Sequence, residues 1–348
     1  MRQNQPTEDE MKKLLAAAVA AMSFATTSAI ADETSFQGSQ SDQYYMITFV
    51  SGVEYWFPVY EMMKQAGQQL GVDTIYTGTP EYDVAKQLAV FEQVLAKNPK
   101  GILIAPMNPE PFIEPINRAA EMGIPVVTFG ADSPNSKRVA YVTSDNAREG
   151  QMAADAIAGA MDGKGEYAVL ENPGQDNHDR RIASFIGRMD SNWPGMKLVG
   201  RAASNQDPTK AYNALLSMAQ ANPNLGAVFM PEASSALGAA QAANELGTGI
   251  KVMLVDVNGK ILDMIKAGEV FGSLNPNQGV QGYMGMLMLY LAAHTDLIDP
   301  MNDYTQTGDN PFTVPFIDNG LAIITAENAD FFYWDKYLAR RGTKGINE

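Results

Sequence analysis

The sequence contains no cysteine. Structural disulfides, thiolate metal sites, cysteine nucleophiles and iron–sulfur clusters are therefore excluded at the outset. Histidine is nearly as scarce: His178 and His294 are two among 348 residues, too far apart in sequence for metal-ligand spacing. Basic residues are in deficit, with 25 Lys and Arg against 40 Asp and Glu and a formal charge of −15. Such a field repels nucleic acid and anionic membrane surfaces. Motifs are missing too. No Gly-rich phosphate loop runs into Lys-Ser or Lys-Thr, and Ser51-Gly52-Val53-Glu54-Tyr55-Trp56 stands where a dinucleotide-binding turn would follow the first strand. No G-x-S-x-G elbow supplies a nucleophile for His178. Beyond the N-terminus, no run is apolar enough to span a bilayer.

What is present is an ordinary globular composition, 45% hydrophobic and 19% charged, long enough for two or three domains. Met11-Lys12-Lys13 precedes an uncharged run from Leu14 to Ala31 that ends small-x-small at Ala29-Ile30-Ala31. A basic start, a short apolar core and that ending read as a secretory signal peptide over residues 1–31, cleaved before Asp32. Residues 1–10 are acidic and out of place ahead of a basic start, which makes Met11 an alternative initiator. Removing residues 1–31 takes away three acids and three bases, so the mature charge stays at −15. With no cysteine for a lipid anchor, the expected home is a Gram-negative periplasm.

Along the mature chain, short apolar runs alternate with helical patterns. Tyr45–Val50, Asp73–Tyr76, Ile102–Ala105 and Pro125–Phe129 read as strands, separated by helices over Phe57–Leu70, Asp83–Lys97 and a segment ending near Gly123. The pattern resumes with strands near Tyr167–Leu170, Lys197–Val199, Ala227–Met230, Lys251–Val255 and Val270–Leu274. Parallel sheets covered by helices on both faces give this signature. The chain also repeats itself. Asn98-Pro99, Gly101-Ile-Leu-Ile-Ala-Pro106 and Gly123 reappear as Asn222-Pro223, Gly226-Ala-Val-Phe-Met-Pro231 and Gly247, at a nearly constant offset. Two similarly built lobes follow, with a shared cleft at the carboxyl ends of their strands.

Those strand ends carry the candidate binding residues. Tyr55 and Trp56 follow the first strand, where aromatic rings would cover the flat C–H face of a sugar. Asp132, Asn177, Arg181, Glu232, Asp256 and Asn275 recur at other strand ends, where carboxylates, amides and Arg would hold a rim of hydroxyls. Met284, Met286 and Met288 are soft donors of the kind that select Cu(I), but on a helix shared with Leu291 they read as core. Asp299–Asp309 lacks a Ca²⁺-loop pattern and reads as a solvated loop. No metal and no cofactor is expected.

From about Tyr45 to Ile324 the sequence resembles the ribose-type periplasmic sugar-binding proteins of ABC importers, relatives of the effector domains of LacI-type repressors. The signposts are Ile124-Pro-Val-Val-Thr-Phe129, Thr143-Ser-Asp-Asn146 with Gly150, Arg181-Ile-Ala-Ser-Phe185, Ala227-Val-Phe with Ala236-Leu-Gly238, and Val255-Asp256. The resemblance implies stacking rings at Tyr55 and Trp56, a sugar-binding Arg at Arg181 and an Asp at Asp256. Elsewhere the chain departs from the pattern. Gly130-Ala131 replaces an Asp-Arg pair, leaving Asp132 and Asp145 as the nearest acids. Glu232 replaces an Asn, Leu274 replaces a Gln with Asn275 beside it, and Gln206 stands near an expected aromatic.

The implied architecture is α/β: two Rossmann-like lobes with parallel sheets, joined by a three-stranded hinge, with ligand in the cleft between them. The lobes would comprise residues 41–145 plus 276–317 and 146–275 plus 318–348, with crossings near Asn146, Asn275 and Asp318. The implied function is capture of a monosaccharide or sugar alcohol by a monomer that delivers it to a membrane ABC permease, without catalysis. A carbohydrate-processing enzyme using Glu232 and Asp256, and a sensor presenting ligand to a chemoreceptor, are the alternatives. A repressor would need a helix-turn-helix where this chain has the signal segment.

Overall fold

The computed structural model describes residues 36–297, 310 and 312–341. The signal segment, its alternative start at Met11 and the Asp299–Asp309 loop lie outside the described residues.

In chain order, the first half runs β1 (Gln43–Thr48), α1 (Trp56–Leu70), β2 (Asp73–Gly78), α2 (Val84–Leu95), β3 (Gly101–Ile104), α3 (Ile113–Glu121), β4 (Val126–Phe129) and β5 (Ala140–Thr143). Next come α4 (Asn146–Ala160), β6 (Lys164–Glu171), α5 (Asp176–Asn192), β7 (Gly195–Ala203), α6 (Pro208–Ala221), β8 (Leu225–Phe229), α7 (Ala236–Leu246), β9 (Lys251–Val255), α8 (Gly259–Ala267) and β10 (Gly272–Pro276). The chain closes with α9 (Gln278–Ala293), β11 (Val314–Asp318), β12 (Leu321–Ile324) and α10 (Trp334–Arg341).

The strands form two six-stranded sheets, ordered β11-β5-β4-β3-β1-β2 and β12-β10-β9-β8-β6-β7. Alternate residues of β1 explain why it reads as one apolar run. Tyr44 and Met46 face a core shared with α1 and α9, while Tyr45 and Ile47 face a second core with α2 and α3. Burial on both faces removes the polar half of the usual strand alternation. The second sheet is likewise sandwiched, by α6, α7 and α8 on one face and by α4 and α5 on the other. Met286 and Met288 are buried in the first lobe's core, and Met284 packs against it. Helix α1 stops where Gly71 takes φ 73°, a left-handed cap that a Cβ would strain.

The sequence repeat has a structural counterpart. β3-α3-β4 and β8-α7-β9 occupy equivalent places in the two sheets. The outermost strands differ: β11 is parallel to β5, whereas β12 is antiparallel to β10. The geometry requires it, because β11 runs toward the junction and the chain passes directly into β12, which runs away from it. Strands β5, β11 and β12 escape the sequence reading. β5 has four residues, and β11 is an edge strand with largely exposed side chains, so neither leaves a clear hydrophobic pattern.

The chain changes sheets three times, and Asn319 ties the three passages together. Its backbone N–H donates to the Thr143 carbonyl at 3.2 Å, and its side-chain amide donates to the Asn277 carbonyl at 3.0 Å. Asn277 in turn donates its N–H to Gly320.

In each lobe a helix glycine lets two backbones come close together. A Cβ on Gly282 of α9 would lie 1.8 Å from the Val59 carbonyl of α1, and one on Gly238 of α7 equally close to the Pro208 carbonyl of α6. In an open helix Gly→Ala gains about 1 kcal/mol. Here the backbones must part, and overpacking typically costs about 1–3 kcal/mol. Gly282→Ala should therefore lower the midpoint of urea unfolding, whereas Gly187→Ala, which meets open space on α5, should raise it or leave it unchanged.

Candidate functional site

Arg181 is the pivot of the inner edge of the second lobe. It lies one turn before Phe185 on the buried face of α5, and only 4% of it is exposed. Gly150 lets α4 approach α5 so closely that a Cβ there would meet the Arg181 carbonyl at 2.2 Å. That approach brings Glu149 of α4 against the guanidinium, in an ion pair whose side chains are 5% and 0% exposed. The Glu149 carboxylate also accepts from Ser144 Oγ and, at 3.1 Å, from Asn146 Nδ2. Arg181 Nη1 donates to the Pro231 carbonyl at 3.1 Å. Burial disfavours the guanidinium charge, but Glu149 and Asp256 outweigh it, and the Arg181 pKa lies above its ordinary value. Removing one partner of such a buried pair typically costs about 3–5 kcal/mol, because the other charge is left stranded.

Asp256 follows β9 in a left-handed conformation, φ 72°, which Asp tolerates better than most residues. Two bonds to β10 hold it there: its N–H donates to Leu274 O at 2.7 Å, and its carbonyl accepts from Ser273 Oγ at 2.6 Å. The twist turns the side chain into buried surroundings where Oδ1 has no hydrogen-bond partner among the described residues. Burial pushes its pKa up to about 7, against the opposing pull of Arg181 and with help from Glu149 and Glu232.

Tyr55 comes from the other lobe, at the N-cap of α1. Its hydroxyl donates to Gln281 Oε1 on α9 at 3.4 Å. Burial raises the phenol pKa, with the charge of Asp256 adding to the rise and that of Arg181 opposing it. Trp56 lies beneath it in the first lobe's core, 5% exposed, with Phe49, Tyr55 and Phe129 edge-on at 5.3, 4.8 and 5.7 Å. Its indole N–H donates to the Phe49 carbonyl at 2.9 Å. Of the expected pair of rings, Tyr55 has its polar tip on Gln281 and Trp56 has its own on the Phe49 carbonyl.

The remaining expected residues divide. Asp132 is gripped by Arg138, whose Nη2 donates to Oδ2 at 2.7 Å, and it also accepts from Thr128 Oγ1 at 2.6 Å. The missing Asp-Arg pair of the first lobe is thus partly restored by an Arg six residues later, a partner the sequence reading did not identify. Glu232 is 4% exposed and its carboxylate is engaged by the turn entering α7, accepting from the backbone N–H of Ser234 and Ser235 and from Ser235 Oγ. Asn275 is buried on β10 and accepts from Gln278 Nε2 at 2.9 Å. Gln206 has a left-handed backbone before α6, and its N–H donates to Asn172 Oδ1 at 2.9 Å. Asn172 in turn meets Nδ1 of buried His178 at 3.2 Å. Burial, reinforced by Arg181, holds the His178 pKa well below its ordinary value. Asn177 is partly exposed on the first turn of α5, and Asp145 caps α4.

Two hydrogen bonds cross the mouth of the cleft. Glu54 of the β1–α1 loop accepts from Gly259 N at the start of α8 at 3.2 Å, and Gln175 Nε2 donates to Tyr82 Oη at 3.1 Å. Neither donor nor acceptor carried a sequence signal. A separate surface pocket of about 470 Å³ lies between α6, α7 and α8, lined by Tyr212, Gln241 and Lys260 among others. None of the expected site residues lines it.

Residues 44–295 match the family described as the periplasmic binding protein domain. The chain belongs to that family. It is similar to the D-allose-binding periplasmic protein of Escherichia coli, 26% identical over 259 residues that cover 71% of this chain and 83% of that one. Among solved structures, a sugar-binding protein of a sugar ABC transporter from Bacillus halodurans superposes with a TM-score of 0.80 at 30% identity, covering 84% of this chain and 100% of that one. An arabinose-binding protein from Geobacillus stearothermophilus gives 0.77 at 30%, covering 84% and 99%. The two-lobe α/β architecture is theirs, and these relatives are named as binding and transport proteins.

The state of Asp256 has a measurable consequence. Between its ordinary value of 3.8 and about 7, the folded chain holds a proton that the unfolded chain has released. This group's contribution to stability is therefore full at low pH and is lost as pH rises through that window. Asp256→Asn cannot lose the proton. The melting temperature of ligand-free Asp256→Asn should exceed that of the parent by a margin that grows from pH 4.5 to pH 7.5, as followed by circular dichroism. A margin independent of pH would show that the carboxyl is not perturbed.

Proposed function

We propose that this chain captures a neutral, polyhydroxylated small molecule, a monosaccharide or sugar alcohol, in the cleft between its lobes and presents the closed form to a membrane ABC permease. The observation that carries this reading is Asp256 Oδ1: a buried acceptor, fixed by a left-handed backbone, with no protein donor. A sugar hydroxyl is a donor that brings no charge into the pocket. D-allose and arabinose, bound by the relatives above, are such molecules.

In this reading Tyr55 and Trp56 form the aromatic wall and Arg181 donates beside Asp256. Asp132, Asn177, Gln206 and Asn275 complete the polar rim, and Glu232 shapes it from the α7 turn. The first lobe comprises residues 41–145 plus 276–317 and the second 146–275 plus 318–348, with a hinge at the crossings near Asn146, Asn275 and Asp318. Ligand touching both lobes favours the closed form only by the contacts it loses on opening. A shift from 1:99 to 99:1 needs about 5.5 kcal/mol, within reach of a few buried hydrogen bonds and a stacked ring.

Calorimetry against D-allose, D-ribose, arabinose and xylitol tests capture. At least one should bind without turnover by chromatography, and Asp256→Ala should weaken it about tenfold to a hundredfold. Small-angle scattering should show a smaller radius of gyration with that ligand. An unchanged radius would overturn hinge closure, and turnover would favour the enzyme alternative, whose second carboxylate, Glu232, is already engaged by its own turn.

We also place the working protein in a Gram-negative periplasm as a monomer, with a chemoreceptor as a second client of the same closed form. Export rests on the N-terminal sequence pattern. Intact mass of periplasmic protein should correspond to a chain beginning at Asp32; a species that retains Leu14–Ala31 would overturn the signal reading.

A further inference from the structure

Gln281 has no place in the sequence reading, yet it is fully buried on α9. Its carbonyl Oε1 accepts from Tyr55 Oη at 3.4 Å, which fixes the amide. Its Nε2 has no hydrogen-bond partner among the described residues. A buried amide donor without an acceptor is unfavourable unless something else fills the role. Tyr55 brings this orphan donor toward the orphan acceptor of the other lobe, because Glu54, the residue before it, accepts at 3.2 Å from the N–H of Gly259, three residues after Asp256. The position is built in. Gly282, the next residue, allows α9 to touch the backbone of α1 at Val59, one turn after Tyr55, so Gln281 cannot withdraw from the Tyr55 hydroxyl without parting the helices.

We propose that Gln281 is a specificity-determining residue of the cleft: its Nε2 donates to a ligand hydroxyl that itself donates to Asp256 Oδ1. A hydroxyl is suited to this because it accepts and donates at once. One ligand oxygen then satisfies an orphan group in each lobe, and a ligand lacking that hydroxyl leaves both unsatisfied. Leu274 makes the role necessary, since the strand beside Asp256 offers an apolar side chain where an amide was expected. The inference rests on the sugar-capture reading and identifies which part of that site selects among sugars.

The test uses the tightest binder among D-ribose, D-allose, arabinose and xylitol, together with its monodeoxy analogues, by calorimetry. Gln281→Leu and Gln281→Met should bind the parent sugar about tenfold or more weakly. One monodeoxy analogue should bind wild type and both variants equally, identifying the bridging hydroxyl. In isotopically labelled wild-type protein, the Gln281 side-chain amide resonance should shift on saturation, a readout that survives even if both variants fold poorly. A wild type that binds sugar tightly while that resonance stays fixed, or variants that bind it within twofold, would overturn the role of Gln281 and assign the orphan groups to a buried water. A wild type that binds no sugar would overturn the capture reading, and this inference with it.

Discussion

One guanidinium and three carboxylates are gathered at the inner edge of the second lobe, and the character of the cleft follows from how each charge is answered. Glu149 takes Arg181 outright, in a pair almost wholly removed from solvent. Glu232 is answered by backbone N–H groups and a serine of the turn that begins α7. Asp256 receives neither. Arg181 acts on it through space, but burial and the two other acids prevail, and its carboxyl is held near neutrality. The second lobe is thereby folded around a polar group that its own side chains do not satisfy, which is what a binding site needs and a structural core avoids.

Small residues determine where this chemistry sits. Gly150 on α4 and Gly282 on α9 each allow two helices to meet at the backbone, and each stands next to a buried polar residue, Glu149 and Gln281. The glycines set how closely the helices approach, and the neighbouring side chains are placed by that approach. The junction between lobes is arranged differently. Asn319 bonds to two other crossing segments through one backbone and one side-chain group, so hydrogen bonds tie the three passages to one another. Hydrogen bonds between loops yield to small torsional changes more readily than interdigitated side chains do. That is the mechanical character expected of a hinge between two rigid, doubly covered sheets.

The sheets were legible because burial on both faces leaves unbroken apolar runs such as Tyr45–Val50, and glycine at helix ends, as at Gly71, marks the stops. β5, β11 and β12 were not, since a four-residue strand and an exposed edge strand carry too little hydrophobic pattern, and β12 owes its direction to the crossing. Within the site, Asp256 stood out as an acid at the end of an apolar run, and Arg181 through the resemblance, four residues before Phe185. Glu149 did not, because an acid in the first turn of a helix is ordinary there. Arg138 and Glu54 gain their partners only through folding. Gln281 left a faint trace: an amide one turn into a glycine- and methionine-rich helix, just ahead of its long apolar stretch. The expectation for Trp56 was incomplete for a related reason, since sequence places a ring at a strand end without showing whether its indole N–H is already engaged.

The charge arrangement also narrows the ligand. An anion would meet Glu149, Glu232 and Asp256, with the Arg181 guanidinium already paired to Glu149 and that of Arg138 to Asp132. A cation would find Asp256 at the price of lying beside Arg181, which raises the energy of any positive charge brought to the same edge. A neutral molecule avoids both penalties but must still supply a donor to Asp256 and an acceptor to Gln281, and must tolerate the face of an aromatic ring. Aliphatic ligands fail the first two conditions. A polyol meets all three, because each hydroxyl both donates and accepts while the C–H bonds of the ring or chain present an apolar face to Tyr55. On the reading proposed above, selectivity arises from groups that the folded protein leaves unsatisfied, one in each lobe, and a ligand that answers both would make recognition and closure of the lobes a single event.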